Sequence, residues 1–410
     1  MRLRETTRRA ARDAGAPELR VEVRRGTDAV REIEQPWLDL WARQALPVAD
    51  QRPDWLIEYA ASREREPAAI AVWCGEALAG VVALTGLAAE VEQTNKTGAA
   101  RRANMVAGPV LPRDVDEAVC VCHAAFASIP AQQVRLGYVV RDSPLWQAVF
   151  GDGPARRTWW AQTLTRDARR WRLAVRGSFD DYLRNQFSKR TAKKREWEVR
   201  QLRAACPEGL SVQIITSPEE TPILCRAALE VLGASWKAEH SYAAASWSES
   251  DARRTAWLAE RGLLRAYILR CGGEPLAFVF FSACDGVLLL EKLGYVASWA
   301  HRGPGAVLWY LVVQDLHAQS EARCLDFNSQ DWEYKSRYAT EVALEANVLL
   351  VRRTLPSLLA AMPMVARNSL RRQAVAIVER TGARPRLQRW LYHSRSARWA
   401  RAMHRWLSRG

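Results

Sequence analysis

Residues 301–310 read HRGPGAVLWY, which predicts a glycine-rich turn that opens an apolar helix. Pro304 is typical of the first position of such a helix. A glycine turn before a helix leaves backbone N–H groups directed along the positive end of the helix dipole, where a phosphate or carboxylate binds. The stretch therefore predicts an anion cradle at Arg302, Gly303, Gly305 and Ala306. A plain helix start without a ligand is the alternative that so short a motif leaves open.

The elements around this turn indicate a mixed α/β fold. The chain around it predicts, in order, a helix that begins at 179–183 and continues as a basic helix over 186–205, strand 211–215, helices 222–232 and 253–261, strands 264–270, 275–281 and 286–293, the turn, a helix to about 317, and strand 324–327. Further upstream, residues 29–44 predict another helix. The hairpin 264–281 has an earlier counterpart at 69–84, about 195 residues upstream, turning at Gly75-Glu76. The repeat predicts two related α/β domains.

Length and composition bound the class of protein. With 410 residues and 49% hydrophobic residues, the chain exceeds a single core of about 150 residues. It contains no apolar run of about 18 residues and no apolar segment after its arginine-rich start, so we expect a cytoplasmic protein. The eight cysteines lack the spacing of a disulfide framework or a zinc site. We expect them to be reduced and mostly buried, and we expect Cys120, Cys122 and His123 to pack in a helix without a metal.

The positive charge is concentrated in the tail. Residues 355–410 contain twelve arginines and a single acid, Glu379, and so carry +11 of the net +15. Segments 385–391 and 399–407 space apolar residues three to four apart with arginines between them, which predicts basic amphipathic helices. An anionic lipid surface, an RNA and the body of the protein itself all remain open as partners of this tail.

Five segments together resemble a known enzyme family: Ser178-Phe179-Asp180-Asp181-Tyr182-Leu183, Ser188-Lys189-Arg190-Thr191-Ala192-Lys193-Lys194, Gly303-Pro304-Gly305, Leu325-Asp326-Phe327 and Tyr334-Lys335. This set is similar to the CelD-like acyltransferases of the GNAT superfamily, which are related in architecture to the Fem-type aminoacyl-tRNA transferases. The resemblance covers about residues 175–350 well and 20–165 more loosely. It implies tandem GNAT-like domains, each with a mixed central sheet flanked by helices, and a basic helical tail.

We therefore expect a basic disordered N-terminus at 1–18, a degenerate GNAT-like domain at 19–170, a catalytic GNAT-like domain at 171–354 and the tail at 355–410. The superfamily's usual CoA-binding loop is an Arg or Gln, any two residues, a Gly, any residue and then a Gly or Ala. With Arg302 as its first residue, the loop has the required glycine at Gly305, but Val307 stands at the last position, so the match is only partial. A weakened pyrophosphate loop is compatible with an aminoacyl ester on tRNA as donor. A cradle built from backbone groups depends little on side chains, so acyl-CoA stays open.

The resemblance implies amide formation, which needs a proton acceptor for the attacking amine, donors for the oxyanion and an acid for the leaving group. Glu291 ends an apolar strand where a carboxylate would have a raised pKa, so it is the candidate base, with an ion pair to Lys292 or Arg302 as the alternative. Asp326 is the candidate for orienting the acceptor amine, with a helix or loop cap as the alternative. Lys335 is the candidate contact to the donor phosphate or to the charged intermediate, unless it is a solvated surface lysine. Tyr334 and Tyr310 are the candidates for the leaving-group acid, with a packing role as the alternative for each.

The basic helix predicts a phosphate-binding face at Lys189, Arg190, Lys193 and Lys194, unless it is only a solvated surface. In the tail, Arg386, Arg389, Arg398 and Arg401 are the corresponding candidates for tRNA contacts. We therefore expect an N-acyltransferase without a permanently bound cofactor or metal. Its co-substrate is aminoacyl-tRNA or, alternatively, acyl-CoA, and its acceptor is an amine on a small molecule, sugar or precursor. The tail leaves peripheral contact with the inner face of the membrane open, and a non-catalytic membrane- or polysaccharide-associated module is the remaining alternative.

Overall fold

A computed structural model describes residues 18–87, 102–165, 167–235, 246–319, 321–329 and 332–380 of the chain. These residues divide into two compact units. The first unit consists of residues up to 45, residues 50–168 and the residues from 344 onward, and the second consists of 46–49 and 169–343. Residues 1–17 of the predicted basic N-terminus and the predicted tail helices 385–391 and 399–407 lie outside the described residues.

The elements of the first unit before residue 168 run in chain order as β1 (Leu19–Arg25), α1 (Gly26–Arg31), α2 (Glu34–Ala42), α3 (Pro53–Ala61), β2 (Pro67–Cys74), β3 (Ala77–Thr85), β4 (Arg102–Met105), α4 (Val115–Ser128), β5 (Gln133–Val140), α5 (Pro144–Phe150), α6 (Pro154–Thr158) and β6 (Trp159–Thr163). Those of the second unit follow as β7 (Ala168–Ala174), α7 (Phe179–Gln186), α8 (Lys189–Ala204), β8 (Leu210–Ile215), α9 (Thr221–Gly233), α10 (Glu249–Glu260), β9 (Leu264–Cys271), β10 (Glu274–Cys284), β11 (Val287–Tyr295), α11 (Pro304–Ala318), β12 (Cys324–Asp326) and α12 (Glu333–Tyr338). The chain then forms β13 (Glu341–Arg352) and α13 (Leu355–Arg380).

The end of the second unit differs from the expected domain boundary near residue 354. The second unit ends at Ala343, and the residues of β13 from Leu344 onward belong to the first unit.

The strands of the two units pair in the same pattern, although the strand at its end follows the others in the chain in the first unit, as β13, and precedes them in the second, as β7. In the second unit β8, β9, β10 and β11 pair antiparallel in that order, β11 pairs parallel with β12, and β12 pairs antiparallel with β7. In the first unit β1 to β4 pair antiparallel, β4 pairs parallel with β5, and β5 pairs antiparallel with β13. The predicted fold class, mixed α/β with sheets flanked by helices, is confirmed.

The sheet of the second unit is buried on both faces. Val279 and Phe281 of β10 pack in a core with residues of α7, α8 and α11. The alternate residues Phe278 and Phe280 contact the ring of Trp247, which precedes α10. Because successive side chains of a strand point to opposite faces, an apolar strand such as β10 requires helices on both sides.

Two helices predicted as continuous are divided. The predicted helical run from 179 to 205 stops at Phe187, whose backbone is extended, and restarts after Ser188, whose hydroxyl accepts the N–H of Thr191. Serine at this position stabilises a new helix start, so α7 and α8 are separate. The predicted helix 29–44 is likewise divided into α1 and α2.

The prediction that all cysteines are reduced is wrong for one pair. Cys206 and Cys271 form a disulfide. Cys271 lies opposite Leu210 in the β8–β9 ladder, and Cys206 precedes that strand, so the sheet brings together two residues that are 65 apart in sequence. Cys122, Cys284 and Cys324 are buried thiols. No helix in the described ranges is long and apolar enough to cross a membrane.

Candidate functional site

The parallel pairing of β11 with β12 in the second unit ends just before Glu291. It begins at the pair Val287 and Cys324 and ends at the pair Leu289 and Asp326. On the other side of β11 the register against β10 shifts, because Phe281 faces Leu290 whereas Phe280 faces Lys292. Glu291 is therefore the extra residue of a β-bulge. Bulges terminate pairing and redirect side chains, and the pairing of β11 with β12 ends at Leu289 and Asp326, so we take the opening between these strand ends as the candidate cleft.

The bulge places two consecutive side chains against the same helix. The Glu291 Oε1 atom lies 2.7 Å from Arg254 Nη2, and Lys292 Nζ lies 2.6 Å from Asp251 Oδ2. Asp251 and Arg254 are three residues apart on α10, about one turn of the helix. In a regular strand Glu291 and Lys292 would face opposite sides of the sheet.

These ion pairs define the charges of the cleft. Burial by itself would raise the pKa of Asp251, but hydrogen bonds from Lys292 and Ser248 hold that pKa below its ordinary value. Arg254 is the counter-ion of Glu291. The pair that Glu291 forms is with Arg254, not with Lys292 or Arg302. Glu291 is therefore an ionised group suited to attract an ammonium, and as a proton acceptor it works against the charge of Arg254.

The glycine turn has the predicted place between β11 and α11. A 3-10 helix, Ala297–Arg302, ends at Gly303, which is left-handed with φ 63° and caps α11 through its backbone. The ring of Tyr295 packs on Gly305, where an added Cβ would come within 3.3 Å of it. Pro304 has no N–H, and the N–H groups of Ala306 and Val307 both donate to Gly303 O. Fewer backbone N–H groups are therefore left to bind an anion than the sequence predicted. The exposed Arg302 adds a positive charge next to the turn.

The two units differ at the corresponding helix start. In the first unit α4 follows the parallel-paired strand β4, as α11 follows β11, but the side chain of Asp114 caps it by accepting the N–H of Glu117 at 2.9 Å. Asp116 and Glu117 also lie in the first turn of α4. The first turn of α11, all of it described, has no acid and no side-chain cap. The electrostatic environment at the start of α11 is therefore more favourable to an anion than that at the start of α4.

Asp326 is held by two arginines. Its Oδ2 atom accepts Arg170 Nε at 2.7 Å and Arg172 Nε at 2.9 Å, and its Oδ1 atom accepts the N–H of Asn328 at 2.9 Å. Its side chain is 4% exposed. Burial alone would raise the pKa of Asp326, and the charges of Arg170 and Arg172 more than reverse this, so the pKa lies below the ordinary value. These bonds fix the end of β12 and the turn after it, on the border of the cleft.

Lys335 and Tyr334 lie in the short helix α12 beside that turn. Lys335 is buried, and its ammonium donates to Ser329 O at 2.5 Å. It therefore supports the left-handed turn at Asn328, where φ is 62°. Tyr334 stacks on Trp309 with the ring centroids 5.6 Å apart, and burial raises its pKa. Burial likewise raises the pKa of Tyr310. Both tyrosines keep their protons at neutral pH.

The predicted phosphate-binding residues of α8 share one end of that helix. Lys189, Arg190, Lys193 and Lys194 lie in its first two turns, and the first turn, which the structure describes in full, has no acid. Only Lys194 approaches a carboxylate, that of Glu198 at 3.9 Å, among the ion pairs of the described residues. The helix dipole adds to these positive charges rather than offsetting them. The remaining candidates, Arg386, Arg389, Arg398 and Arg401, lie outside the described residues.

Sequence reasoning missed four residues of the cleft: Arg170, Arg172, Trp247 and Arg254. The alternation of the two arginines in β7 is a signal that one face of this strand is charged. Trp247 is 8% exposed, and its indole N–H is buried without an acceptor among the described residues, while Lys292 Nζ lies 5.7 Å from its ring centroid. A buried N–H donor of this kind can bind a carbonyl oxygen. The described ranges contain no group of three side chains arranged to hold a metal.

Comparison with known proteins agrees with this geometry. Residues 188–336 match the acetyltransferase (GNAT) domain family. No curated protein matches the chain. The crystal structure of FemX is 10% identical in sequence and superposes with a TM-score of 0.57, over 79% of this chain and 96% of FemX.

Two further solved structures have lower TM-scores. A C-terminal domain of a putative lysylphosphatidylglycerol synthetase from Agrobacterium fabrum is 14% identical, with a TM-score of 0.48 over 81% of this chain and 96% of that one. A tandem GNAT protein from the clavulanic acid biosynthesis pathway is 14% identical, with a TM-score of 0.43 over 81% and 98% of the two chains. The matched residues, 188–336, contain β11, the glycine turn, Asp326 and Lys335, so the cleft belongs to the recognised domain. Residues 188–336 of the second unit are thus similar to GNAT acetyltransferase domains, and the chain shares its fold with FemX.

Proposed function

We propose that this enzyme transfers an aminoacyl group from aminoacyl-tRNA to an amine acceptor, with the reaction taking place in the cleft between β11 and β12. The observation that carries the proposal is the opening of the β11–β12 ladder beside a helix start that lacks an acidic cap. An acyl donor placed there has its carbonyl next to the bulge and its phosphate next to Gly303. The acceptor amine then approaches on the side of α10, where Glu291 supplies negative charge.

The bond changes are those of amide formation. The amine nitrogen attacks the ester carbonyl, the tetrahedral intermediate collapses, the ester oxygen leaves with a proton, and the nitrogen loses one. Glu291 attracts the acceptor as its ammonium, water takes the proton that the ammonium gives up before attack, and the indole N–H of Trp247 is suited to the oxyanion. Asp326 and Lys335 act by fixing the border of the cleft.

The preference for tRNA over acyl-CoA rests on charge. A coenzyme A molecule presents one nucleotide, whereas the first two turns of α8 present four cations. The narrow backbone cradle at Gly303 also suits a donor whose binding energy comes from contacts elsewhere. The resemblance to Fem-type aminoacyl-tRNA transferases supports the same donor. Acyl-CoA, the co-substrate of GNAT acetyltransferases, is the alternative donor.

The test measures binding of charged tRNA and, separately, of acetyl-CoA to the full chain at low and physiological salt. We expect salt-dependent tRNA binding that weakens in Lys193→Ala/Lys194→Ala, with the salt slope reduced by about one for each phosphate that the variant no longer binds. The matched control is Arg200→Ala/Arg203→Ala, at the other end of the same helix. Binding of acetyl-CoA alone, with both double variants unchanged, assigns the enzyme to acyl-CoA.

We also propose that α13 contacts an anionic membrane surface. Leu355, Leu359, Met362 and Leu370 are between 54% and 70% exposed, and their spacing places them on one face of the helix. The opposite face packs in the first unit, where Ala361 is buried with Leu349 and Val351. This helix therefore combines an exposed apolar face with the nearby Arg367, and it belongs to the segment 355–410, whose net charge is +11. Such a combination is complementary to an anionic lipid surface.

Co-sedimentation with vesicles tests this surface. We expect binding to vesicles that contain phosphatidylglycerol and little binding to neutral phosphatidylcholine vesicles. Leu359→Ser/Met362→Ser should reduce binding several-fold, whereas Leu229→Ser, which replaces another exposed leucine, should not. Equal binding of all three proteins would exclude α13 as the contact.

A further inference from the structure

Trp197 is an exposed aromatic side chain on α8 of the second unit. Its exposed fraction is 51%, although tryptophan is on average a highly buried residue. The opposite side of α8 packs in the core of the unit through Val199 and Leu202. Within the described part of the chain, Trp197 stacks on no other ring and lies under no cation. The face of its indole is therefore available to a ligand.

The cations of α8 lie on the same face as Trp197. Lys194 and Lys193 are three and four residues before it, and Arg190 is seven residues before it, which are the spacings of one helix face. All three side chains are exposed. Arg200 follows three residues after Trp197, so positive charge is present on both sides of the indole and is denser before it.

The acids of α8 point away from this face. Glu196 and Glu198 are the sequence neighbours of Trp197, and neighbouring residues point about 100° apart around a helix. Glu198 pairs with Arg195, whose Nη1 atom lies 2.5 Å from Glu198 Oε2. The surface around the indole therefore has a net positive charge.

An exposed aromatic ring among cations is complementary to a single strand of RNA. A base of a single strand stacks on an aromatic side chain, and the phosphates beside it bind lysine and arginine. A duplex cannot use Trp197 in this way, because its bases are already stacked on one another. A membrane contact requires several large apolar side chains on one face, whereas Trp197 is the one exposed large apolar side chain of α8, which is described in full.

The position of α8 relates this surface to the transfer site. The helix packs against α11 and against the 3-10 helix Ala297–Arg302. The 3-10 helix ends at Gly303, where α11 begins. An aminoacyl-tRNA carries its aminoacyl group on an unpaired 3′ end, so a single strand leads to the reacting ester. α8 thus adjoins the elements that form the proposed donor site.

We propose that Trp197 stacks on an unpaired base near the 3′ end of the RNA donor, an assignment that rests on the proposed function because it concerns the same donor. Lys193 and Lys194 bind the phosphates next to that base. The first two turns of α8 follow the backbone of the strand, and the indole holds one base at the end of that path.

The test measures binding to the full chain by fluorescence anisotropy, with a labelled oligoadenylate of about 12 nucleotides and an RNA duplex of the same length as probes. Trp197→Ala should lose at least fivefold in affinity for the single strand and bind the duplex as the parent does. Its salt slope should be unchanged, because no charge is removed, whereas Lys193→Ala/Lys194→Ala should reduce the slope. Thermal unfolding should not change, since the side chain is exposed.

Two further variants separate stacking from simple apolar contact. Trp197→Phe keeps an aromatic face and should retain more single-strand affinity than Trp197→Leu, which should bind as weakly as the alanine variant. Tyr138→Ala removes a 58% exposed ring of the first unit and is the matched control, which should bind as the parent does. Unchanged single-strand binding in Trp197→Ala, or an equal loss for both RNAs, overturns the inference. A loss of binding to phosphatidylglycerol vesicles with RNA binding unchanged overturns it as well and makes Trp197 a lipid contact.

A transfer assay with aminoacyl-tRNA separates this inference from the proposed function. Transfer with a donor KM that rises in Trp197→Ala supports both. Transfer with the same donor KM in the parent and in Trp197→Ala leaves the proposed function standing and overturns the role of Trp197. Single-strand binding that depends on Trp197, without transfer from aminoacyl-tRNA, supports an RNA-binding surface on α8 and contradicts the proposed function.

Discussion

Arg254 of α10 and Glu291 of β11 form an ion pair, with Nη2 and Oε1 2.7 Å apart, at the residue where β11 bulges. The bulge is what turns Glu291 toward α10, and the neighbouring pair of Lys292 with Asp251 fastens the same helix one turn away. The acceptor side of the cleft is thus defined by two charged contacts between a helix and a strand that lie far apart in sequence.

Glu291→Gln should lower kcat/KM for acyl transfer at least tenfold, which corresponds to about 1.4 kcal/mol of barrier. It removes the negative charge that attracts the acceptor and leaves Arg254 without that counter-ion. The measurement is steady-state transfer with the donor identified by the binding experiment. Asp251→Asn, which breaks the neighbouring pair, is the control and should cost less activity. If the two variants lose the same small amount, Glu291 has only a structural role.

Asp326→Asn should destabilise the second unit by about 3 kcal/mol at pH 7, because two arginines lose their buried counter-ion. The pKa of Asp326 is lower in the folded chain than in the unfolded chain, so its contribution is present above the ordinary pKa near 4 and is lost as the pH falls through the folded value. Urea unfolding of the parent from pH 7 to pH 2 should show this acid loss. The variant should lack that part of the pH dependence, and an identical pH profile would contradict the assignment.

Lys335→Met keeps most of the length of the side chain and removes its charge. We expect a tenfold or larger loss of kcat with a smaller change in donor KM, because Lys335 fixes the turn at Asn328 and Ser329 rather than the phosphate at the rim. Arg302→Met is the informative comparison, since that side chain is exposed beside Gly303 and should mainly raise the donor KM. The reverse pattern would place Lys335 on the donor.

Gly303→Ala should cost about 1 kcal/mol of stability, because a residue with a Cβ disfavours φ 63°. Gly303→Asn should cost less, since asparagine tolerates the left-handed region better. If the start of α11 binds the donor, the alanine variant should also weaken donor binding more than the asparagine variant. Equal donor affinities in both variants and the parent would show that the turn is only a helix start.

His123 should make the first unit sensitive to mild acid. Its Nδ1 atom accepts the N–H of Ala155 at 3.3 Å, and burial lowers its pKa. A histidine whose pKa is lower in the folded state takes up protons preferentially on unfolding, so stability is full above the ordinary value near 6.5 and falls as the pH drops below it. His123→Gln should flatten this dependence between pH 7 and 5. The ring-proton titration of His123 followed by NMR checks the direction of the shift.

Local patterns account for much of what could be predicted. The order of helices and strands around the glycine turn, the repeated hairpin and the fold class follow from periodicity and turn residues, which act over a few positions. The helix break at Phe187 and Ser188 was missed because a capping serine and an interior serine look alike in sequence. The disulfide was missed because the β8–β9 register, and not the spacing of the cysteines, brings Cys206 to Cys271.

The sequence alone determined that a glycine turn precedes an apolar helix, that Asp326 lies in a short strand near 324–327 and that the chain's charge lies in its tail, because these are properties of neighbouring residues. Only the tertiary structure decided which partners those residues meet. Arg254 reaches Glu291 across 37 residues, and Arg170 reaches Asp326 across 156. Such pairings depend on strand register and on the position of a bulge, which arise from the packing of the whole sheet and leave no local pattern.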